Sequence, residues 1–262
     1  MVINVLFLAV IVIDAVEDIS AGREAIDSAC AVLRRGGIML DPDDVRTGGA
    51  MRAMRTTRGD EAEANIARAV LGPTEMSYQG VIYLYENAAR GRAEFRSACD
   101  FEIALYEGVI TNADGSLKIA RRLLRRMKIE TSELTLSGNQ GNQGLEVVTA
   151  YSAYKGASIF NCAIEFVFRD GSLETIVGRY ATDIESLEDG AEMNSAGTAL
   201  LGFLAWVRRE NIECARISSV EAGYQHRVVG SFGEGVIAPV WLIEADSGRY
   251  LIDDETGEIW AQ

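Results

Sequence analysis

Histidine is nearly absent from this chain. His226 is the only one in 262 residues, so a His-based metal cage or a Ser-His-Asp triad has to be built around a single imidazole. Cysteine is sparse and scattered: Cys30, Cys99, Cys162 and Cys214 lie 69, 63 and 52 residues apart, and no pair has the short spacing of a zinc site or a redox CxxC. Scattered core thiols and, in an exported chain, one of 3 disulfide pairings both fit this pattern. Three prolines leave no Pro-rich linker to mark a domain boundary. Positive charge is also short, with 25 Lys and Arg against 39 Asp and Glu, a net charge of −14. Such a chain repels a nucleic-acid backbone, and nucleic acid is excluded as its general partner.

What the chain does have begins with an apolar start. Met1 to Ile13 is apolar except for Asn4 and stops at Asp14. Thirteen helical residues reach about 20 Å, short of a ~30 Å hydrocarbon core, and no Lys or Arg precedes them. Residues 1–16 are expected to be the remnant of a membrane anchor, the competing reading being a buried strand or core helix.

A phrase of the form apolar-Arg-Arg-x-x-Ile occurs three times, at Leu33 to Ile38, Leu124 to Ile129 and Val207 to Ile212. Each closes a segment of helical period. Ile19, Ile26, Cys30 and Leu33 share one face of the first. Leu117, Ala120, Leu123, Leu124 and Met127 share a face of the second, and Met193, Leu200, Phe203, Leu204 and Val207 a face of the third. Paired arginines in a last turn suit the negative end of the helix dipole.

Antiparallel strands are expected after each helix. Phe160, Cys162, Ile164, Phe166 and Phe168 alternate with more polar residues, and Asp170-Gly171 offers a two-residue turn back through Leu173 to Tyr180. The first part offers Val81 to Glu86 and Ala93 to Leu105. The last offers Val240 to Ala245, Arg249 to Asp253 and Glu258 to Trp260. These patterns predict an α+β fold of repeated units, each one helix packed on a curved antiparallel sheet. Two domains are expected: 17–113, and 114–262 built from units 114–190 and 191–262. The helix predicted over 60–71 is read as an insertion with Asp60 as N-cap, and the glycine-rich stretch 138–144 as a loop.

Few residues announce chemistry. The glycines at 138, 141 and 144 do not have GxGxxG spacing, and no Walker lysine follows. The acids Asp246, Asp253, Asp254, Glu255 and Glu258 lack the order of an EF-hand loop, and turn chemistry accounts for them without a metal. Arg58-Gly59-Asp60 spells an adhesion tripeptide but is read as a helix start. No catalytic residue, metal ligand or cofactor is assigned. One charge feature stands out: Lys118, Arg121, Arg122, Arg125, Arg126 and Lys128 follow one another with no acid between Asp114 and Glu130, while 1–113 and 191–262 each sum to −6. This strip is either a docking surface for an acidic partner or anionic polymer, or a solvated helix face. The aromatics Trp241, Tyr250 and Trp260 either form a peptide-binding sheet face or fill the core under the last helix.

The stretch from Pro239-Val240-Trp241 through Asp246-Ser247-Gly248 to Tyr250 and Asp253, followed by Thr256-Gly257-Glu258-Ile259, resembles the closing β-hairpin of YycI-like proteins and of PepSY-type modules. Ile159-Phe160-Asn161 to Gly171 is similar to an inner strand of the same proteins. The resemblance covers most of 114–262, and 1–113 only by layout. It implies a PepSY- or cystatin-like fold in a single-pass membrane protein whose bulk lies outside the cytoplasm. There it would contact a YycH-like partner and a sensor histidine kinase governing cell-wall homeostasis, as a regulator and not an enzyme. Lys118, Arg121, Arg122, Arg125, Trp241, Tyr250 and Trp260 are the partner-binding candidates, chosen from charge and aromatic pattern and not carried over from the family. Two other readings are a PepSY-type inhibitor or chaperone of a secreted protease, and an enzyme acting on cell-wall polymer, which would show a polar cleft converging on His226 or a buried carboxylate pair.

Overall fold

A computed structural model describes residues 22–96, 99–138, 144–187, 192–229 and 234–262. The apolar start, Ile19 and residues 139–143 of the expected loop lie outside the described residues. In chain order the elements are α1 (22–35), β1 (Val45–Arg46), β2 (Met54–Thr56), α2 (Asp60–Leu71), β3 (Glu75–Gln79), β4 (Ile82–Asn87), β5 (Gly91–Phe95) and β6 (Asp100–Leu105). Then follow α3 (Ser116–Met127), β7 (Thr131–Gly138), β8 (Leu145–Tyr154), β9 (Ala157–Arg169), β10 (Ser172–Arg179) and β11 (Ile184–Ser186). The chain ends with α4 (Ala196–Arg209), β12 (Ile217–Val228), β13 (Gly235–Ala245), β14 (Gly248–Asp253) and β15 (Ile259–Ala261). Among the described residues the fold is mixed α+β, with four α-helices and a sheet that is mostly antiparallel.

The repeated phrase turns out to be a helix stop. In each copy the isoleucine N–H donates to the carbonyl of the leading apolar residue: Ile38 to Leu33 at 3.0 Å, Ile129 to Leu124 at 3.1 Å and Ile212 to Val207 at 2.9 Å. The residue before each isoleucine has positive φ, Gly37 at 90°, Lys128 at 60° and Asn211 at 54°, and its N–H bonds the first arginine's carbonyl. That is the Schellman arrangement, which satisfies the last carbonyls of a helix and turns the chain out of its axis. The phrase therefore recurs because α1, α3 and α4 end in the same way.

The chain divides into two compact units, each discontinuous in sequence. The first comprises the described residues of Met1–Met51, Ala191–Ala222 and Pro239–Gln262, and the second those of Arg52–Gly190 and Gly223–Ala238. The boundary expected near 113 lies inside the second unit, and the segment 191–262 is shared between the two. The strands β12 and β13 each cross from one unit into the other.

In the first unit α1 and α4 approach closely. A Cβ on Gly197 would stand 3.1 Å from the Ala25 carbonyl oxygen. The strand β14 lies between β13 and β15, pairing antiparallel with both, and β1 runs parallel to β12. The expected hairpin and final strand are present here in the expected order.

In the second unit β3 to β6 form a meander, β7 to β10 form another, and β10 pairs with β6. One sheet results. Its inner face carries Tyr85, Phe95, Phe101, Ile103, Val148, Ile164, Phe166, Phe168 and Ile176, and α2 and α3 share that core through Ile66, Val70, Ile119 and Leu123. The helix α2, expected as an insertion, is thus half of the cover over this sheet. Its first residue is Asp60, and the N-cap is Gly59, which has no side chain to cap with. The Gly59 N–H donates instead to the Thr182 hydroxyl at 3.0 Å. Asp60, Glu61 and Glu63 lie in the first turn, where the helix dipole favours acids. The alternation from Phe160 to Phe168 holds, and Asp170 and Gly171, at φ 47° and 80°, turn β9 into β10.

Candidate functional site

Every candidate cation of α3 is exposed. The helix is held by its other side, where Ile119, Ala120, Leu123, Leu124 and Met127 are at most 3% exposed. Its N-terminus rests on Glu146 of β8, whose carboxylate accepts from the Ser116 hydroxyl, and Asn112 Nδ2 donates to the same carboxylate at 3.4 Å. A carboxylate there favours the positive end of the dipole. With both ends and one face fixed, Lys118, Arg121, Arg122, Arg125, Arg126 and Lys128 project as a basic strip. Asp114 lies 4.0 Å from Lys118 and 3.4 Å from Arg122. Among the described residues no acid comes within ion-pair distance of Arg121, Arg125 or Arg126. Like charges three or four residues apart cost about 0.2–0.5 kcal/mol a pair on a helix. Arg125 and Arg126 in the last turn favour the helix dipole, but the repulsion along the rest of the strip is relieved by no acid of the described residues beyond Asp114, and an acidic partner would relieve it.

The aromatic candidates separate. Trp241 pairs across the hairpin with Ile252, and Tyr250 with Ile243, so these two side chains share one face of β13 and β14. Tyr250 packs edge-on under α4, its ring centroid 5.3 Å from that of Phe203 and 5.2 Å from that of Trp206. Trp241 and Tyr250 are 2% and 4% exposed. They are core residues, and a peptide on that face would have to displace α4. Trp260 pairs with Leu251, which places it on the opposite face, half-buried. The Asp254 carboxylate accepts the Asn194 backbone N–H at 2.8 Å, while the indole N–H of Trp241 is buried without a hydrogen-bond partner among the described residues. Burial pushes the Asp254 carboxyl up and the Asn194 hydrogen bond pulls it part of the way back.

The single histidine is buried in the second unit. His226 Nε2 is 3.1 Å from the Thr56 hydroxyl, and Nδ1 has no partner. Its main chain is clasped by the Asn161 side chain, which accepts the His226 N–H and donates to its carbonyl, both at 2.8 Å. The ladder between β12 and β9 pairs only Tyr224 with Ile159, and the Asn161 amide supplies the peptide-like partner beyond it. No spacing rule points to such a residue. Burial, and then the nearby Arg179 guanidinium, hold the His226 pKa below its usual value, against a smaller opposite effect of Asp100. Burial also pushes the Cys162 thiol up to about 12 and the Cys99 thiol to about 11, so neither is a thiolate at neutral pH. All four cysteines are free. No group of three or more His, Cys, Asp or Glu among the described residues is placed to hold a metal.

A histidine with a depressed folded pKa binds its proton more readily in the unfolded chain, so its contribution to stability is present above the unfolded pKa of about 6.5 and declines below it. Urea midpoints for the protein and for His226→Gln between pH 7.5 and 5 should show the larger loss in the unsubstituted chain. Parallel curves would mean that His226 does not titrate in this window.

The tripeptide Arg58-Gly59-Asp60 is not available as an adhesion loop. The Arg58 side chain is 11% exposed and grips Glu63 with Nε to Oε1 at 2.7 Å and Nη2 to Oε2 at 3.0 Å. It also donates to the carbonyls of Val81 and Phe95 and covers the Tyr83 ring at 3.9 Å.

No protein-family model matches the chain, and no curated protein matches it. Among solved structures it is similar to the crystal structure of an uncharacterized protein from Eubacterium rectale, with a TM-score of 0.57 and 10% identity over 86% of this chain and 92% of that one. At that identity the likeness concerns the fold. No helix among the described residues is long and apolar enough to cross a membrane.

Proposed function

We propose that the protein is a non-enzymatic regulatory protein that works by protein–protein contact, with the exposed basic face of α3 as its docking surface. The observation that carries this reading is the trio Arg121, Arg125 and Arg126, exposed and without an acidic partner among the described residues, on a chain of net charge −14. The resemblance to YycI-like proteins suggests the partners: a membrane sensor histidine kinase of a two-component system in cell-wall homeostasis, and a YycH-like protein. In the same reading the apolar start tethers the chain outside the cytoplasm. The helix-plus-sheet segments, α3 with β7 to β10 and α4 with β12 to β15, are then PepSY- or cystatin-like units used repeatedly. Regulation would follow from unequal affinity for two kinase states, since a tenfold preference shifts their ratio by about 1.4 kcal/mol.

The test is recovery from native membranes by the full chain with its apolar start. The unsubstituted protein should retain the kinase and the YycH-like protein. The triple variant Arg121→Glu, Arg125→Glu, Arg126→Glu should lose them about tenfold or more, because reversed charge steers the partner away. Equal recovery by both proteins, or no kinase with either, would count against the reading.

A further inference from the structure

Among the described residues β3 pairs on one side only, with β4, and its other edge lacks the usual protection. The other described edges are short or irregular: β11 and β15 have three residues each, and β7 carries a register shift between Thr131 and Leu134. Short edges, bulges, prolines and lysines are how sheets avoid joining one another. The strand β3, Glu-Met-Ser-Tyr-Gln, has none of these; all five residues are exposed, and its pairing with β4 runs without a shift from Glu75 to Gln79.

The register decides which groups are free. Gln79 faces Ile82 across the two-residue turn at Gly80 and Val81, so Gln79, Ser77 and Glu75 form the hydrogen-bonded pairs with β4. The N–H and C=O groups of Met76 and Tyr78 therefore point outward. Their side chains lie on the inner face, beside Tyr85 and Tyr83 at the margin of the core, yet they are 57% and 72% exposed.

We propose that β3 pairs with β3 of a second copy of this chain, antiparallel about a twofold axis through Ser77. This register alone matches all five residues of one strand with all five of the other. Met76 then exchanges both main-chain hydrogen bonds with the partner's Tyr78, and Tyr78 with the partner's Met76, using just the groups left free. Glu75 comes opposite the partner's Gln79, so no like charges meet across the pair. Met76 and Tyr78 meet on the inner face and extend the apolar surface of the core from one copy to the next. A second copy fits this edge because the strand is self-complementary in hydrogen bonding, apolar face and charge at once, which is what an isologous contact requires.

The contact is small and of the weak class, with dissociation on the order of 0.1 mM. Ser77 on the axis forms a non-hydrogen-bonded pair with its symmetry mate, Cα atoms about 4.5 Å apart, a separation that a disulfide spans. Gln79 would be roughly 14 Å from its own mate, too far for one. Full-length Ser77→Cys and Gln79→Cys proteins are oxidised with diamide at low micromolar concentration, with the unsubstituted protein as control for the four native thiols. Both sites are exposed, so folding is not at issue. Ser77→Cys should become a disulfide-linked dimer at least tenfold faster than Gln79→Cys, and adding Met76→Lys and Tyr78→Lys should remove the difference. Equal rates for the two cysteine variants, or crosslinking of neither above the control, would overturn the proposal.

Discussion

Arg58→Ala is expected to lower the unfolding free energy by about 3–5 kcal/mol, the range for removing one partner of a buried ion pair. The substitution leaves Glu63, whose side chain is 6% exposed, without its guanidinium. It also leaves the carbonyls of Val81 and Phe95 without a donor and bares the Tyr83 ring. These contacts tie the start of α2 to β4, β5 and the turn before β4, so one side chain holds one side of the core together. The pH dependence separates lost charge pairing from lost packing. Burial raises the Glu63 carboxyl above its ordinary value and Arg58 draws it back; in the variant burial and the smaller effect of Asp60 act unopposed. A carboxyl with a raised folded pKa stabilises the fold below its unfolded pKa and loses that contribution as pH rises through the folded one. The deficit should therefore be widest at neutral pH and shrink on acidification. Arg169→Ala, which breaks an exposed pair with Glu174, should cost under about 1 kcal/mol. Urea unfolding at pH 7.5 and 5 measures all of this, and equal costs for the two arginines would refute the account.

Gly91→Ala should cost about 3 kcal/mol or more. Gly91 opens β5 at φ 139°, a conformation that side chains resist, and a Cβ there would run into the Ala104 carbonyl oxygen of β6. Strain at such a φ and overpacking against a backbone atom each cost roughly 1–3 kcal/mol. The oxygen cannot retreat, because it belongs to the strand that joins the two meanders through β10. Gly108 separates the two effects: it has φ 76° but nothing within 4 Å of its Cβ position. Gly108→Ala should show the strain alone, about 1 kcal/mol. Thermal or urea denaturation compares them, and equal losses would mean that the close approach at Ala104 contributes nothing.

Much of the local structure was legible because its causes are local. The stripe of Leu117, Ala120, Leu123, Leu124 and Met127 is a helix by period, and the cations between them have nowhere to go but outward; Ile119, outside that stripe, is nevertheless fully buried where Leu117 is only partly so. The alternation from Phe160 to Phe168 and the Asp170-Gly171 turn were read for the same reason. The turn at Lys155 and Gly156, at φ 50° and 83°, joins β8 to β9 in the same way, but lysine carries no preference for positive φ and gave no signal. Register was the other blind spot. Trp241, Tyr250 and Trp260 look like one set along the chain, yet pairing puts two under α4 and the third on the far face. The tripeptide at 58–60 drew attention to its spelling, while the meaningful pair was Arg58 with Glu63, five residues on.

From its sequence alone this chain determines three helices that stop by one capping device, the hairpins with Asp-Gly or Asp-Ser-Gly turns, the basic face of α3, and the scarcity of histidine that narrows the available chemistry. Tertiary structure alone decided that β10 pairs with β6, which brings α2 and α3 over a common core and places the expected boundary near 113 within a unit. It also decided that Asn161 clasps His226 and that β3 has no second neighbour among the described strands. The division has a physical reason. Capping, periodicity and turn preference act over a few residues, whereas strand pairing between distant segments is chosen by the apolar area that the whole assembly buries.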